Sequence, residues 1–317
     1  MDQILAYTIQ LGRNMWWDKT GKAPIPQNYL QVIFPKYETF HKDKTCFRLL
    51  VDHAAKEGMN TIVVNIGEGL TYDSHPELNL DGSWTKEELK EELNHIRSLN
   101  MIAVPMLNFS AAHDVWLGKY ERMVGTKAYY QVCADLIDEV CELFDNPPYF
   151  HLGMDEETAD AQQLYNHTTV RHEVVFFRDL KFYFDCVRKH GCTPWIFSDS
   201  YNRFPKAFLE QVEKDVLLSN ENISFSGKTE ELHSYTCYPQ ELPELAKHGY
   251  SILPMSCCYR YANMPEQTAN YIKTNGMEQQ VRGVLCYPYL FCESEHRFKL
   301  MFEATRAAKV FTERNKS

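Results

Sequence analysis

The chain has 317 residues, of which 44% are hydrophobic and 13% aromatic, so it can bury a large core and is not a disordered protein. Its formal net charge is -10 and its Lys and Arg residues form no cluster, which argues against a nucleic-acid partner. Nowhere does the sequence approach the roughly 18 uninterrupted apolar residues of a membrane-spanning helix, so we expect no membrane partner.

The N-terminal residues and the cysteines bear on the cellular compartment. Residues 1–7 do not combine a basic region with an apolar stretch and a cleavage site, so we expect no secretory signal and a cytoplasmic protein. The ten cysteines lie mostly in apolar segments and form no CxxC pair. Reduced core thiols are therefore favoured over disulfides or a structural zinc site.

Short apolar runs alternate with helical patterns along the whole chain. The runs that predict strands are 4–11, 61–66, 102–107, 149–152, 194–197, 216–218, 251–254 and 283–286. The patterns that predict helices are 45–57, 83–99, 127–144, 174–190, 205–213, 239–247, 265–274 and 295–313. Thr85 and Glu88 have the spacing of a capping box at the start of the second helix.

This alternation defines the fold class. The strand runs are apolar on both faces, as expected for parallel strands that lie between a barrel interior and an outer layer of helices. The chain also lacks the glycine-rich fingerprint of a dinucleotide-binding sheet. We therefore predict an α/β protein with a (β/α)8 TIM barrel that forms a single domain over residues 1–317.

Active sites of such barrels lie at the carboxyl ends of the strands, so polar residues just after each strand are the candidates. In chain order these candidates include Arg13, Glu68, Asn108, His113, Asp155, Glu156, Asp199, Glu221, Tyr259 and Glu293. Carboxylates and Arg form charge-assisted hydrogen bonds with hydroxyl groups, and aromatic rings stack on the apolar faces of sugars. The composition of this set favours a small carbohydrate or glycoconjugate as the substrate.

Two adjacent carboxylates, Asp155 and Glu156, directly follow the fourth predicted strand. Strand alternation sends successive side chains in different directions, so the pair does not simply belong to one solvated face. Cleavage of a glycosidic bond needs a proton donor and a group that stabilises positive charge at the anomeric carbon. An acidic helix start would also explain the pair, and both interpretations stay open on the dipeptide alone.

The segment His151-Leu152-Gly153-Met154-Asp155-Glu156 resembles the strand 4 signature of family 20 glycoside hydrolases, the β-N-acetylhexosaminidases. The similarity is greatest to a Gly-Met-Asp-Glu branch, in which Met replaces a second Gly. Segment 195–201 is similar to the strand 5 segment of that branch, and segments 11–13, 60–65 and 104–113 are similar to strands 1 to 3. The resemblance covers most of a catalytic barrel, and we expect a bare barrel without the family's N-terminal domain.

The resemblance implies a substrate-assisted retaining mechanism without a cofactor or a metal ion. Glu156 would be the general acid and base, and Asp155 would orient the 2-acetamido group of the sugar. Arg13 would hold sugar hydroxyls, while His151 would support the carboxylate pair by hydrogen bonding. The remaining residues expected to bind substrate are His113, Asp199, Glu221, Tyr259 and Glu293.

One segment departs from the family pattern. After strand 6, where the family has aromatic residues around the acetamido methyl group, the chain has Asn220, Glu221 and Asn222. An apolar cage gains about 1 to 3 kcal/mol from a fitted methyl group, so this change predicts a weaker preference for N-acetyl sugars. It also predicts that Glu221 lies in or beside the sugar pocket.

Two other functions are compatible with the sequence. One is a two-carboxylate retaining glycosidase that acts on a sugar without an acetamido group, with Glu293 or Asp199 as the nucleophile. The other is a catalytically silent barrel that only binds sugar. The spacing of His151, Asp155 and Glu156 matches no zinc signature, and a homodimer is compatible with the sequence.

Overall fold

The structure is a computed structural model that describes residues 3–18, 36–220, 240–258 and 262–313. Its central sheet has eight parallel strands in the spatial order 7-6-5-4-3-2-1-8. The strands are β1 (Ile4–Gln10), β2 (Thr61–Asn65), β3 (Ile102–Met106), β4 (Tyr149–His151), β5 (Thr193–Phe197), β6 (Leu217–Ser219), β7 (Ser251–Ile252) and β8 (Gly283–Cys286). Parallel bridges from Ile252 to Val281 and from Met255 to Leu285 join the two edges of the sheet, where β7 and β8 lie. The predicted (β/α)8 barrel is therefore confirmed.

Helices follow the strands around the outside of the barrel. They are α1 (Lys44–Glu57), α2 (Lys86–Ser98), α3 (Lys127–Leu143), α4 (Glu173–Arg188), α5 (Ser200–Arg203), α6 (Pro205–Gln211), α7 (Glu241–Lys247), α8 (Met264–Thr274) and α9 (Arg297–Glu313). The capping box of α2 is confirmed, because Thr85 Oγ1 accepts from the Glu88 amide and Glu88 Oε2 accepts from the Thr85 amide. In the described ranges, no helix has both the length and the apolar character that a membrane crossing requires.

The core has two layers, one on each side of the strands. Inside the barrel, Trp195, Phe197, Met106 and Leu285 pack together, and a larger cluster fills the space between the strands and the helices. Both faces of each strand are thus buried, which explains why the strand runs are apolar without alternation. The nine cysteines in the described ranges have free thiols, and eight of them are buried.

A buried ion pair supports the loops at the carboxyl end of β3 and β4. The Arg171 guanidinium contacts both carboxylate oxygens of Glu157, the shortest contact being 2.6 Å from Nη2 to Oε2. Arg171 also donates to the Phe109 carbonyl, and Glu157 accepts from the Ala111 amide at 3.0 Å. The side chains of the pair are 0% and 1% exposed, so neither charge has access to water if its partner is removed.

Replacing Arg171 by Met should lower the free energy of unfolding by about 3 to 5 kcal/mol, because it leaves a buried carboxylate without its partner. The matched control is Arg178→Met. Arg178 also pairs with Asp179, the second carboxylate that Arg171 contacts, but its side chain is 58% exposed. The control should therefore change stability little. Equal losses in urea unfolding of the two variants would contradict this account of the pair.

Candidate active site

A pocket opens at the carboxyl end of the barrel strands. Its walls combine carboxylates with aromatic and thioether side chains. The lining residues are Met15, Trp16, Asn108, His113, Asp155, Glu156, Phe197, Met255, Tyr287 and Tyr289. The structure thus brings four of the candidate residues into one cavity, namely Asn108, His113, Asp155 and Glu156. This position is the one where barrel enzymes carry their active sites.

Asn108, which follows β3, fixes the carboxylate of Asp155. Its Nδ2 donates to Asp155 Oδ1 at 2.7 Å, while its Oδ1 accepts from the amides of Ser110 and Met154, each at 3.1 Å. One amide side chain therefore joins the loop after β3 to the loop after β4. The Asp155 carboxylate has little freedom to rotate, since each contact of Asn108 depends on the same side-chain orientation.

His113 lies between the two carboxylates. Its Nε2 is 3.4 Å from Asp155 Oδ2 and 3.4 Å from Glu156 Oε2, and the ring is 3% exposed. Burial alone would lower the pKa of His113, but the charges of Asp155 and Glu156 outweigh it and raise this pKa well above its usual value. Burial would likewise raise the pKa of Asp155, yet His113 and Asn108 lower it. The site therefore holds an imidazolium beside an ionised Asp155.

The loop that carries the carboxylates has an unusual backbone. Gly153, Met154 and Glu156 have φ values of 67°, 74° and 53°. These values lie in the left-handed region, which residues other than glycine rarely adopt. A Cβ atom on Gly153 would stand 2.1 Å from Cγ of Asn108, so only glycine fits at this position. The turn sends consecutive side chains into the same pocket, which an extended strand cannot do.

His151 supports this loop from below, through the backbone. Its Nδ1 accepts from the Gly153 amide at 3.0 Å, and its ring lies between Trp195 and Phe197, with centroids 4.8 and 4.6 Å away. Burial lowers the pKa of His151 to about 3, so the ring is neutral. The sequence predicted that His151 would hydrogen-bond the carboxylate pair, whereas its hydrogen bond in the structure goes to the backbone of their loop.

Arg13 and Glu293 lie outside this pocket and pair with each other. Arg13 Nη2 contacts Glu293 Oε1, and the guanidinium stands over the ring of Phe291 at 5.3 Å from its centroid. The Arg13 amide donates at 2.6 Å to Glu68 Oε1, a buried carboxylate that follows β2. The structure thus brings together two residues that are 280 positions apart in sequence, beside the pocket and not in its lining.

Other predicted site residues lie elsewhere. Asp199 is buried behind the pocket, where its Oδ2 accepts from the Glu156 amide at 2.9 Å. Glu221 and Tyr259 are outside the described residues, so the structure says nothing of their predicted roles. Sequence reasoning missed Trp16, which meets the His113 ring edge-on at 5.9 Å between centroids, and Met255, three residues beyond β7.

In the part of the chain that the structure describes, one set of side chains has ligand atoms close enough to share a metal ion. It consists of Glu293, Glu295 and His296, whose ligand atoms lie within 4.8 Å of one another. Glu293 is already paired with Arg13. The set does not include Asp155 or Glu156. The pocket itself is lined by carboxylates, an imidazole, and aromatic and thioether side chains.

No protein-family model matches the chain, and no curated protein is similar to it in sequence. Solved structures do share its fold. The GH20 exo-β-N-acetylglucosaminidase of Vibrio harveyi, solved with N-acetylglucosamine, superposes with a TM-score of 0.63 at 12% identity, over 96% of this chain. The chitobiase of Flavobacterium johnsoniae gives a TM-score of 0.65 at 16% identity, over 89% of this chain.

A third similar structure is the N-acetyl-β-hexosaminidase of Streptomyces plicatus in complex with Thio-NAglucal, with a TM-score of 0.63 at 14% identity over 96% of this chain. The chain spans 54%, 48% and 63% of the lengths of the three proteins, respectively. At these identities the similarity establishes the barrel fold.

The His113 ring should remain protonated at pH 7.5, which ring-proton NMR shifts can follow. A histidine with a raised pKa in the folded state binds more protons there than in the unfolded chain. Its contribution to stability is fully present below the unfolded pKa of about 6.5 and is lost as pH rises through the folded pKa.

His151 is the internal control for this titration, because its pKa of about 3 keeps it neutral over the same range. Its ring signals should not shift between pH 5 and pH 8. A His113 ring that loses its proton at or below pH 6.5 would contradict the ion-pair assignment.

Proposed function

We propose that this chain is a family 20 glycoside hydrolase that releases terminal β-linked N-acetylhexosamines by a substrate-assisted mechanism. The observation that carries the proposal is the convergence of Asp155 and Glu156 on His113 Nε2, inside the pocket at the carboxyl end of the barrel. The solved structures of the same fold, described as hexosaminidases, support it. So does the resemblance of segment 151–156 to the family signature.

In the first step, Glu156 donates a proton to the glycosidic oxygen as the bond to the leaving alcohol breaks. The carbonyl oxygen of the substrate's own 2-acetamido group attacks the anomeric carbon and forms a cyclic oxazolinium ion. Asp155 is suited to stabilise the positive charge on that ring, because it is ionised and its orientation is fixed by Asn108. The side chain of Glu156 is 20% exposed, so it can reach a leaving group that extends out of the pocket.

In the second step, Glu156 takes a proton from a water molecule whose oxygen attacks the anomeric carbon. The oxazolinium ring opens, and the sugar leaves with its original anomeric configuration after two inversions. Asp155 keeps its charge throughout this cycle. The chain's own residues supply all of the proton transfers, so the proposed reaction uses no cofactor.

The apolar wall of the pocket supports an acetamido substrate. Phe197, Met255 and Tyr289 line it, and Tyr289 donates to the Met255 sulfur at 3.8 Å. A methyl group packs well against thioether and aromatic surfaces. The weaker N-acetyl preference inferred from Glu221 stays a prediction, as do the cytoplasmic location and the homodimer.

The two-carboxylate alternative has less support from the geometry. Glu293 is held by Arg13 outside the pocket lining. Burial and the charge of Asp155 raise the pKa of Asp199 well above its usual value, and a protonated carboxyl is a poor nucleophile. A silent sugar-binding barrel would keep the same pocket, so turnover is the measurement that separates it from an enzyme.

Glu156→Gln should lower kcat/KM by about 10² to 10⁴ for an alkyl N-acetylglucosaminide, since general acid catalysis contributes that much. A dinitrophenyl N-acetylglucosaminide should lose far less, because its leaving group needs little protonation. Asp160→Asn is the matched control, since Asp160 is an exposed acid on the same loop. It should leave both rates unchanged, and equal losses of Glu156→Gln on both substrates would refute the acid assignment.

A thiazoline analogue of the oxazolinium intermediate should bind at least about 10²-fold more tightly than N-acetylglucosamine, as expected for a mimic of a species that the site stabilises. Asp155→Ala should remove most of this gain in affinity, because the thiazoline ring then lacks the carboxylate that stabilises it. Inhibition constants measure both effects. Covalent labelling of Glu293 or Asp199 by a fluorosugar would instead support the two-carboxylate mechanism.

A further inference from the structure

Asp199 differs from the other acidic residues around the pocket, because it contacts the backbone of the site and not its cavity. It follows β5, is 2% exposed, and is absent from the pocket lining. Its Oδ2 accepts from the Glu156 amide at 2.9 Å. Its Oδ1 is buried and has no hydrogen-bond partner among residues 3–18, 36–220, 240–258 and 262–313.

The amide that Asp199 holds belongs to a residue in an unfavourable backbone conformation. Glu156 has a φ of 53°, which is unfavourable for a residue with a Cβ atom because the Cβ approaches the following carbonyl oxygen. The left-handed conformation determines where the Glu156 side chain points relative to Asp155 and His113. A contact that holds this amide therefore controls the geometry of the proposed acid.

We propose that Asp199 is a positioning residue that fixes the left-handed backbone of Glu156 and thereby aims its carboxyl at the glycosidic oxygen. The inference rests on the proposed function for its catalytic consequence. Its structural part, the dependence of the Glu156 backbone on the Asp199 acceptor, stands on geometry alone. Asp199 is thereby assigned to the support of the pocket, and neither to sugar binding nor to nucleophilic attack.

The surroundings of this acceptor favour the neutral form of its carboxyl group. Burial, together with the charges of Asp155, Glu156 and Glu241, raises the pKa of Asp199 well above its usual value, although the Glu156 amide lowers it. Because Oδ2 accepts from that amide, the proton of the neutral form would lie on Oδ1. A neutral Asp199 holds the loop without adding a further negative charge beside Asp155, which would disfavour the ionised form of Asp155.

Two substitutions of Asp199 test its hydrogen-bond acceptor separately from its ability to ionise. Asp199→Asn keeps a carbonyl oxygen for the Glu156 amide and cannot ionise, so kcat should stay within about 3-fold of the wild type. Asp199→Ala removes the acceptor, and kcat should fall by about 10- to 10²-fold with little change in KM, since misplacing a reacting group by about 1 Å has that effect. Asp160→Asn, which alters an exposed acid on the loop after β4, is the control and should leave kcat unchanged.

The pH dependence of kcat is a further measurement, which a purely structural role of Asp199 would not affect. Between pH 5 and pH 8 the profile of kcat should be the same for the wild type and Asp199→Asn. The proposal is overturned if Asp199→Asn loses as much activity as Asp199→Ala, or if Asp199→Ala retains wild-type kcat. If Asp199→Ala does not fold, Asp199→Asn still tests the proposal, because this variant must fold and turn over substrate normally.

A crystal structure of Asp199→Ala distinguishes failure of this proposal from failure of the proposed function. If the wild type cleaves no glycoside, the function is wrong, but the backbone of Glu156 can still be inspected. A φ that leaves the left-handed region in Asp199→Ala and stays there in Asp199→Asn supports the positioning role. A φ near 53° in both variants refutes it.

Discussion

The site depends on one electrostatic arrangement, a buried imidazolium that stands between two carboxylates. Two carboxylates in one poorly solvated pocket repel each other, and one of them would ordinarily take up a proton. The charge of His113 offsets this repulsion, because its Nε2 lies 3.4 Å from one oxygen of each carboxylate. Asn108 adds a hydrogen bond to Asp155. Asp155 can therefore stay ionised inside the barrel, which is the state that stabilisation of a cationic intermediate requires.

This arrangement requires a backbone that the barrel alone does not provide. Strand β4 ends at His151, and the chain then turns through positive φ angles at Gly153, Met154 and Glu156. Such conformations persist only where the surroundings hold them. Here the loop amides donate to the side chains of His151 on β4, Asn108 after β3 and Asp199 after β5. The Glu157–Arg171 pair anchors the end of the turn. The rigidity of the loop is thus distributed over β3, β4 and β5.

Local sequence patterns were sufficient for the fold and for part of the site. The strands fall within about two residues of their predicted bounds, because buried parallel strands produce contiguous apolar runs. The adjacent acids after β4 located the pocket. Contacts between distant segments could not be predicted, such as the pairing of Arg13 with Glu293 across 280 positions. The expected role of Arg13 in sugar binding stays a prediction. The support role of Asp199 also depends on a backbone angle at Glu156, which no residue type signals.

The most direct test of the central claim is a comparison of initial rates on four aryl β-glycosides. The substrates are the N-acetylglucosaminide, the N-acetylgalactosaminide, the glucoside and the galactoside, each with the same leaving group. A substrate-assisted enzyme should cleave at least one N-acetyl substrate clearly faster than the matching unsubstituted sugar, since only the acetamido group provides the nucleophile. Cleavage of the glucoside or galactoside at a comparable rate, or binding of all four without turnover, would contradict the account.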